Sequence, residues 1–208
     1  MEDAAGKMVD WLRTTMTTAD GAPGFALVRL YKSHRFADID DELQAFATAQ
    51  AGGPVSADTR CLVLIATRGA EDAWNDRTAS VGHRAIPLTS EAMVAQLPMV
   101  SALITQLGFE VSFVIEPPRS VGTRHHRAYD VFFVPEALGS KLVPAQAGFV
   151  VPYGIRSVVG FGGLLVSGDL FAIIGFATVP IAPEVATLFR TVAIAAKTAL
   201  VPFTFDRI

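Results

Sequence analysis

Apolar residues recur at helical spacing near both ends of the chain and in short strand-like runs between them. Met8, Trp11 and Leu12 fall on one side of a helix, which predicts an amphipathic helix over about residues 2–16. Near the other end, a proline followed by a glutamate opens an apolar segment, which predicts a helix over about residues 183–201. We therefore expect a helix near each end of the chain.

Runs of β-branched and aromatic residues, separated by turn residues, predict strands between these helices. The run over residues 61–66 is short and continuously apolar, which is typical of a strand buried on both faces. Ser167, Gly168 and Asp169 separate two apolar runs and so predict a β-hairpin. The predicted strands cover residues 25–31, 61–66, 83–88, 111–115, 129–134, 155–165 and 170–178.

Capping residues predict further helices between the strands. Asp38 is a candidate N-cap for a helix that carries Leu43 on its apolar side. Ser90 is a candidate cap for a second helix, and Pro98 starts a third, which Gly108 ends. No repeat and no linker divides the chain. The pattern predicts a single domain over residues 1–208 with an α+β fold: a mostly antiparallel central sheet of about six strands with flanking helices.

Composition and charge narrow the class of protein. The chain has 208 residues, of which 51% are hydrophobic, a formal net charge of −3 and one cysteine. A single cysteine excludes an internal disulfide framework and a thiolate zinc cluster. The weakly acidic charge provides no broad positive field, so no nucleic-acid partner is expected. The apolar stretch over residues 158–181 is broken by a Ser-Gly-Asp turn, and residues 2–12 lack the pattern of a secretory signal. We expect a cytoplasmic protein without a membrane span.

The C-terminal half carries a resemblance to a known family. Val151-Pro152, a Gly-containing strand over residues 155–165, a tight turn, a returning strand and a helix from Pro183 follow one another in residues 149–200. This order resembles the end of a GAF domain, and the leading helix and first two strands agree more weakly. Residues 74–107 depart from the family pattern and are similar to segments of input domains that precede bacterial histidine kinases. The resemblance implies a sensory domain of a bacterial signalling protein; a PAS-like or unrelated α+β domain is the alternative.

Six residues are candidates for lining a ligand cavity between the sheet and the middle segment, because they combine apolar area with polar tips. Arg29 alternates with apolar neighbours on a predicted strand, where a charged group needs a partner or water; Asp38 and Asp41 are candidate partners. The six candidates are Arg29, Trp74, His83, Tyr129, Phe133 and Tyr153. The ligand itself is unknown, and the expected one is small and apolar or amphipathic.

Four other features could have a chemical role, but each could also be purely structural. Haem or a metal could use one of the histidines, His34, His83, His125 or His126, but none has the helical spacing of a paired metal site. The basic loop over residues 123–127 could receive a phosphate or carboxylate, or be a solvated loop. Gly160, Gly162 and Gly163 indicate close approach of either a ligand or a packed segment. Cys61 is expected to act as a small apolar residue.

These observations predict a non-catalytic domain that binds a small molecule and transmits occupancy through its terminal helices to a histidine kinase or other signalling output. The predicted C-terminal helix has an apolar stripe of Val185, Leu188, Phe189, Val192, Ala196 and Ala199, which should pack on the sheet, and a second weakly apolar face with Ile194 and Val201. With Met8 and Trp11, that second face favours a homodimer through paired terminal helices. The alternative function is a ligand-free dimerisation or protein-interaction scaffold.

Overall fold

The structure is a computed structural model that describes residues 1–117 and 130–208 of the chain. The helices are α1 (Glu2–Thr15), α2 (Asp41–Ala51), α3 (Glu91–Ala95), α4 (Pro98–Gln106), α5 (Val111–Ile115) and α6 (Pro183–Leu200). The strands are β1 (Phe25–Arg35), β2 (Arg60–Gly69), β3 (Ala85–Leu88), β4 (Val131–Val134), β5 (Ser157–Leu164) and β6 (Leu170–Ala177). The basic loop over 123–127, with His125 and His126, lies outside the described residues.

Within the described residues, six strands form one antiparallel sheet in the order β3-β2-β1-β6-β5-β4. The α+β fold with flanking helices is therefore confirmed. β5 and β6 form the predicted hairpin; Gly168 takes a φ of 82° in its turn, and the backbone N–H of Leu165 donates to the carbonyl of Asp169. The stretch that looked like the nearest membrane candidate is this hairpin.

The pairing between the two central strands contains a one-residue shift. Leu30 of β1 pairs with Ala66 of β2, but the next residue, Tyr31, pairs with Leu64. Ile65 is the extra residue of this β-bulge. As a result, Ile65 and Ala66 both contact the same apolar cluster, although neighbours in a regular strand point to opposite faces.

Helices and loops cover the sheet on both sides, which accounts for the high apolar content. The first face is covered by α1, α2 and α6, with Val9, Leu43 and Phe189 in its core. The second face is covered by α3, α4, α5 and residues 142–155, with Leu103 and Val114 in its core. Strands β5 and β6 are buried along their whole length because each has a core on both sides.

Capping residues and prolines explain where several of the helices begin. Ser90 accepts a hydrogen bond from the backbone N–H of Met93, and Pro98 occupies the first turn of α4, as predicted. The predicted cap of α2 is wrong by two residues. Asp40, not Asp38, accepts from the backbone N–H of Leu43 at 2.7 Å, because Asp38 lies in the preceding turn, 2.7 Å from Nε of Arg35.

The predicted strand over residues 111–115 is wrong, because these residues form helix α5. Alternation over five residues is too short to separate a strand from one helical turn whose side chains are partly buried all round. Val114 is fully buried against the second face, while Val111 and Phe113 pack at its margin. We attribute the helical conformation of α5 to its packing against the apolar second face.

Helix α6 ends close to its predicted position but faces the sheet with a different side. The buried residues are Ala186, Phe189, Ala193, Ala196 and Leu200, whereas Val185 and Leu188 remain 49% and 66% exposed. The ring centroid of Phe189 lies 5.2 Å from that of Phe161 and 6.3 Å from that of Phe25. These aromatic contacts fix the rotation of the helix, and the alanines allow it to approach the sheet closely.

Helix α1 shows the same kind of difference. Ala5, Val9 and Leu12 are buried, whereas Trp11 is 50% exposed.

Among the described residues, one helical stretch, Pro183–Phe203, is long and apolar enough to cross a bilayer, with a mean hydropathy of 1.4. In the sequence, the nearest candidate for a membrane span was instead the apolar stretch over residues 158–181, which the Ser-Gly-Asp turn interrupts. Core helices of soluble proteins pass the same test, so one such helix is weak evidence for a membrane protein.

Candidate functional site

At one end of the first face, the apolar core gives way to buried polar side chains. β1 continues to Arg35, four residues beyond its predicted end, so Lys32 and His34 are strand residues on the same face. Lys32 pairs with Phe171 of β6, which brings the β5–β6 turn, with Asp169, to the same end of the sheet. We call Lys32, His34, Arg60, Ser167 and Asp169 the polar cluster.

Asp169 is the centre of the polar cluster. Its carboxylate accepts from Nη1 of Arg60 and from Oγ of Ser167, the latter at 2.6 Å. Nζ of Lys32 lies 3.4 Å from Oδ2, the carboxylate oxygen that also accepts from Ser167. Lys32 is 2% exposed and Asp169 is 6% exposed. One buried carboxylate therefore serves two cations, and the cluster carries an unbalanced positive charge.

His34 lies beside Lys32 at the same end of the first face. It is 3% exposed, and Nζ of Lys32 lies 3.5 Å from each of its ring nitrogens. Burial, together with the positive charge of Lys32, lowers the pKa of His34 from 6.5 to about 3. Burial also lowers the pKa of Lys32, although Asp169 opposes that shift. His34 is thus a neutral imidazole at physiological pH.

A neutral imidazole has one donor and one acceptor nitrogen. While Lys32 is protonated, its ammonium group can donate to the acceptor nitrogen of His34 but cannot accept from the ring N–H. The ring N–H of His34 then has no acceptor within the polar cluster. A buried N–H without a partner is costly, which favours an acceptor in the adjoining space.

The polar cluster borders a cavity of about 290 Å³. Its other wall comes from Thr204, Phe205, Asp206 and Arg207, which follow α6 and the turn Val201–Phe203. The volume lies near the lower end of the ~300–1,000 Å³ typical of ligand pockets. The cavity therefore joins the buried end of the sheet to the chain segment that leaves α6.

Three contacts hold this C-terminal wall, residues 204–207, in place. The ammonium group of Met1 donates to Asp206 at 2.8 Å, and the backbone N–H of Ile208 donates to the carbonyl of Asp38 at 3.3 Å. Asp38 also lies between Arg35 and Arg207, whose Nε atoms are 2.7 Å and 3.6 Å from it. The pair between Arg207 and Asp38 lies at the surface and is weak, whereas the side chain of Met1 and the residue Thr204 are each 1% exposed.

The structure brings some of the sequence-predicted site residues together on the second face. The rings of Trp74 and Tyr153 lie 4.4 Å apart, and Phe149 contacts both. Trp74 also packs on the backbone of Gly69, where an added Cβ would lie 2.6 Å from its ring. This part of the predicted lining is an aromatic cluster whose rings contact one another.

Arg29 and His83 lie near each other on that face. Nη1 of Arg29 is 3.5 Å from the hydroxyl of Tyr31, whereas the expected partners were Asp38 and Asp41. Nε of Arg29 is buried and has no hydrogen-bond partner among the described residues. Nearby protein atoms and the charge of Arg29 lower the pKa of His83, although part of its side chain remains in contact with solvent.

The remaining two candidates are not part of this group. Phe133 packs against the first face, because alternate residues of β4 point to opposite sides and Phe132 and Val134 occupy the second. Its placement beside Trp74 and Tyr153 is therefore wrong. Tyr129 lies outside the described residues.

The strand glycines allow close packing of the protein with itself. A Cβ at Gly160 would lie 2.9 Å from the side chain of Leu103, and one at Gly162 would lie 2.1 Å from the carbonyl oxygen of Phe171. Of the two predicted reasons for these glycines, approach of a packed segment is the one observed. Cys61 is buried in the first-face core, and burial raises the pKa of its thiol to about 12.

Among residues 1–117 and 130–208, no three His, Cys, Asp or Glu side chains are grouped so that they could hold a metal ion. Haem or metal binding therefore stays a prediction, as do the roles of His125 and His126.

The polar cluster was not among the sequence candidates. The first strand was expected to end at Tyr31, which placed His34 in a loop, and Asp169 was interpreted only as a turn residue. The available signal was the alternation of Lys32 and His34 directly after an apolar strand. Continuing the strand period by four residues would have placed both side chains on the buried first face.

No protein-family model matches this chain, and neither a curated protein nor a solved structure matches it. Any function therefore has to be argued from the fold and from the cavity.

Proposed function

We propose that this protein is a non-catalytic, GAF-like sensory domain of a bacterial, cytoplasmic signalling protein, and that it binds a small molecule in the cavity beside the polar cluster. One observation carries this proposal: the same cavity is lined by buried strand residues and by the C-terminal wall, residues 204–207. A ligand there contacts a rigid part of the sheet and the segment that follows α6 at once.

The coupling has a definite energetic requirement. A ligand shifts the balance between two arrangements only if it binds them with different affinity. Contacts to Thr204 and Arg207 supply that difference, because they are lost when the C-terminal wall moves away. A histidine kinase or another signalling output is the proposed partner that responds to this movement.

The first test is a search for ligands with a matched pair of variants. Native mass spectrometry of the purified protein and a thermal-shift screen identify compounds that bind. The thermal shift of each compound is then measured on the variants Arg60→Met and Arg156→Met. Arg60 lines the cavity, whereas Arg156 is an exposed arginine that is not part of that lining. We expect the thermal shift to disappear in Arg60→Met and to persist in Arg156→Met.

Amide chemical shifts locate the response. Bound ligand should move the backbone signals of residues 204–207 in a ¹⁵N spectrum and leave the indole N–H of Trp74 unchanged. The opposite result, a shift at Trp74 with residues 204–207 unmoved, would place the ligand on the second face and refute the proposed cavity.

The second candidate function, a homodimerisation scaffold, is favoured by the outer side of α6. Val185, Leu188, Val192, Ala195 and Ala199 follow one another at alternating spacings of three and four residues. This is the seam pattern of paired helices. Four of these five residues are exposed, and none is charged. We propose that a second copy of this chain packs on this seam.

Mass measurement tests the scaffold with another matched pair. Leu188 lies on the seam, whereas Ile194 is 51% exposed on a different side of α6. Light scattering at increasing concentration should give a dimer for the unmodified protein and for Ile194→Glu, and a monomer for Leu188→Glu. A monomeric unmodified protein, or equal effects of both substitutions, would refute this interface.

A further inference from the structure

We infer that the cavity beside the polar cluster takes a small molecule with a carboxylate or phosphate group. This inference rests on the proposed function, because it names the ligand class of the same cavity. It starts from charge: Lys32 and Arg60 both contact Asp169. One cationic charge in this enclosed group is without a carboxylate of its own, and an anion would neutralise it.

The rim of the cavity does not cancel this charge, because outside the polar cluster Arg35 and Arg207 are matched by Asp38 and Asp206. Both of these carboxylates already have partners outside the polar cluster: Asp38 lies between Arg35 and Arg207, and Asp206 accepts from the ammonium of Met1. The carboxylates are thus occupied, and a cationic ligand would find none of them free of a counter-charge.

Hydrogen-bond donors without partners point the same way. While Lys32 is protonated, the ring N–H of His34 has no acceptor in the polar cluster, because an ammonium group can only donate. Arg60 has five N–H donors, and its contact with Asp169 is made through Nη1. Lys32, Arg60 and neutral His34 together offer donors to oxygen atoms, and carboxylate and phosphate groups provide such acceptors without donating in return.

The test uses inorganic phosphate and acetate as probes at constant ionic strength, with chloride as the balancing anion. Binding is followed through the backbone amides of Lys32, His34 and Leu170 and through the imidazole carbon-bound protons of His34. We expect saturable shifts for at least one probe, and the probe that binds more tightly identifies the group. An anion that neutralises Lys32 also raises the pKa of His34, which the imidazole signals report directly. Shifts that only grow linearly with concentration for both probes overturn the inference.

Arg84 provides the matched control for Arg60. Arg84 is 12% exposed and Arg60 is 16% exposed, and each donates to a carboxylate, but Arg84 contacts Glu42 away from the cavity. Arg60→Gln should weaken binding at least tenfold, and Arg84→Gln less than twofold. Arg60→Lys keeps the charge but loses the planar fork, so it should bind with intermediate affinity and serves if Arg60→Gln does not fold. Equal binding by both Arg60 variants and the unmodified protein would contradict the inference.

The two proposals fail in different ways. A neutral compound that occupies the cavity and moves residues 204–207, while neither anion binds, refutes the anion inference and leaves the sensory function standing. Saturable anion binding without any change at residues 204–207 supports the ligand class and refutes the coupling.

Discussion

Neutral, buried His34 predicts that the folded protein loses stability in mild acid. Its pKa is about 3 in the folded protein and 6.5 when it is free of that environment. Between these values the unfolded chain binds a proton that the folded chain cannot accept. The stability contributed by neutral His34 is therefore complete above pH 6.5 and falls as the pH decreases toward 3.

The magnitude follows from the same linkage. Each pH unit below the unfolded pKa costs about 1.4 kcal/mol, so His34 alone should lower the free energy of unfolding by about 2 kcal/mol between pH 8 and pH 5. For a chain of this length, that loss corresponds to a decrease in Tm of about 4–8 °C. Carboxylates contribute little at pH 5–6.5, because their ordinary pKa values lie near 4.

Urea denaturation at half-unit steps from pH 5 to pH 8 measures this slope. His34→Gln removes the titrating ring. The change in its free energy of unfolding between pH 5 and pH 8 should therefore be about 2 kcal/mol smaller than that of the unmodified protein, whatever its stability at pH 8. His83→Gln is the comparison variant: the pKa of His83 is also lowered, but its ring keeps solvent contact on the second face, so this substitution should reduce the pH dependence by less than His34→Gln. The reasoning is refuted if His34→Gln and the unmodified protein show the same pH dependence.

Three further substitutions and one control test the packing and the buried ion pairs. Gly6→Ala, in the middle of α1 with open space around its Cα, should raise the free energy of unfolding by about 0.5–1 kcal/mol in urea denaturation; a loss would mean that α1 is packed differently. Gly162→Ala should cost about 3 kcal/mol or more, because its Cβ would meet the carbonyl oxygen of Phe171 at 2.1 Å, and a neutral effect would contradict the β5–β6 register. Asp169→Asn should cost about 2–4 kcal/mol, because two cations lose their shared carboxylate. In the same urea denaturation assay, Asp10→Asn, at an exposed pair, should cost less than about 1 kcal/mol; equal losses for Asp169→Asn and Asp10→Asn would argue against the buried network.

Strong local signals made much of the fold predictable. The Ser-Gly-Asp turn between two apolar runs fixed the β5–β6 hairpin, and Ser90 and Pro98 marked where α3 and α4 begin. These features depend on residues that are close in sequence, so they can be predicted from local sequence patterns. The fold class followed from the order of such elements.

What could not be predicted depends on residues far apart in sequence. The rotation of α6 is set by Phe189 between Phe25 and Phe161, which belong to two different strands. The polar cluster requires β1 and the β5–β6 turn to meet, although Ser33 and Leu170, which hydrogen-bond there, are 137 residues apart. Periodicity also could not decide between strand and helix for the five residues of α5, because their burial comes from contacts with the second face.

The β-bulge at Ile65 sets the phase of the outer half of β2. Because of that extra residue, Val63 and Cys61 stand opposite Lys32 and His34. If Ile65 instead paired with Tyr31 in a regular ladder, Leu64 and Leu62 would stand opposite Lys32 and His34. Val63 and Cys61 would then turn to the second face. The burial of Lys32 and His34 therefore depends on one extra residue in the neighbouring strand, Ile65, as well as on the side chains that contact them.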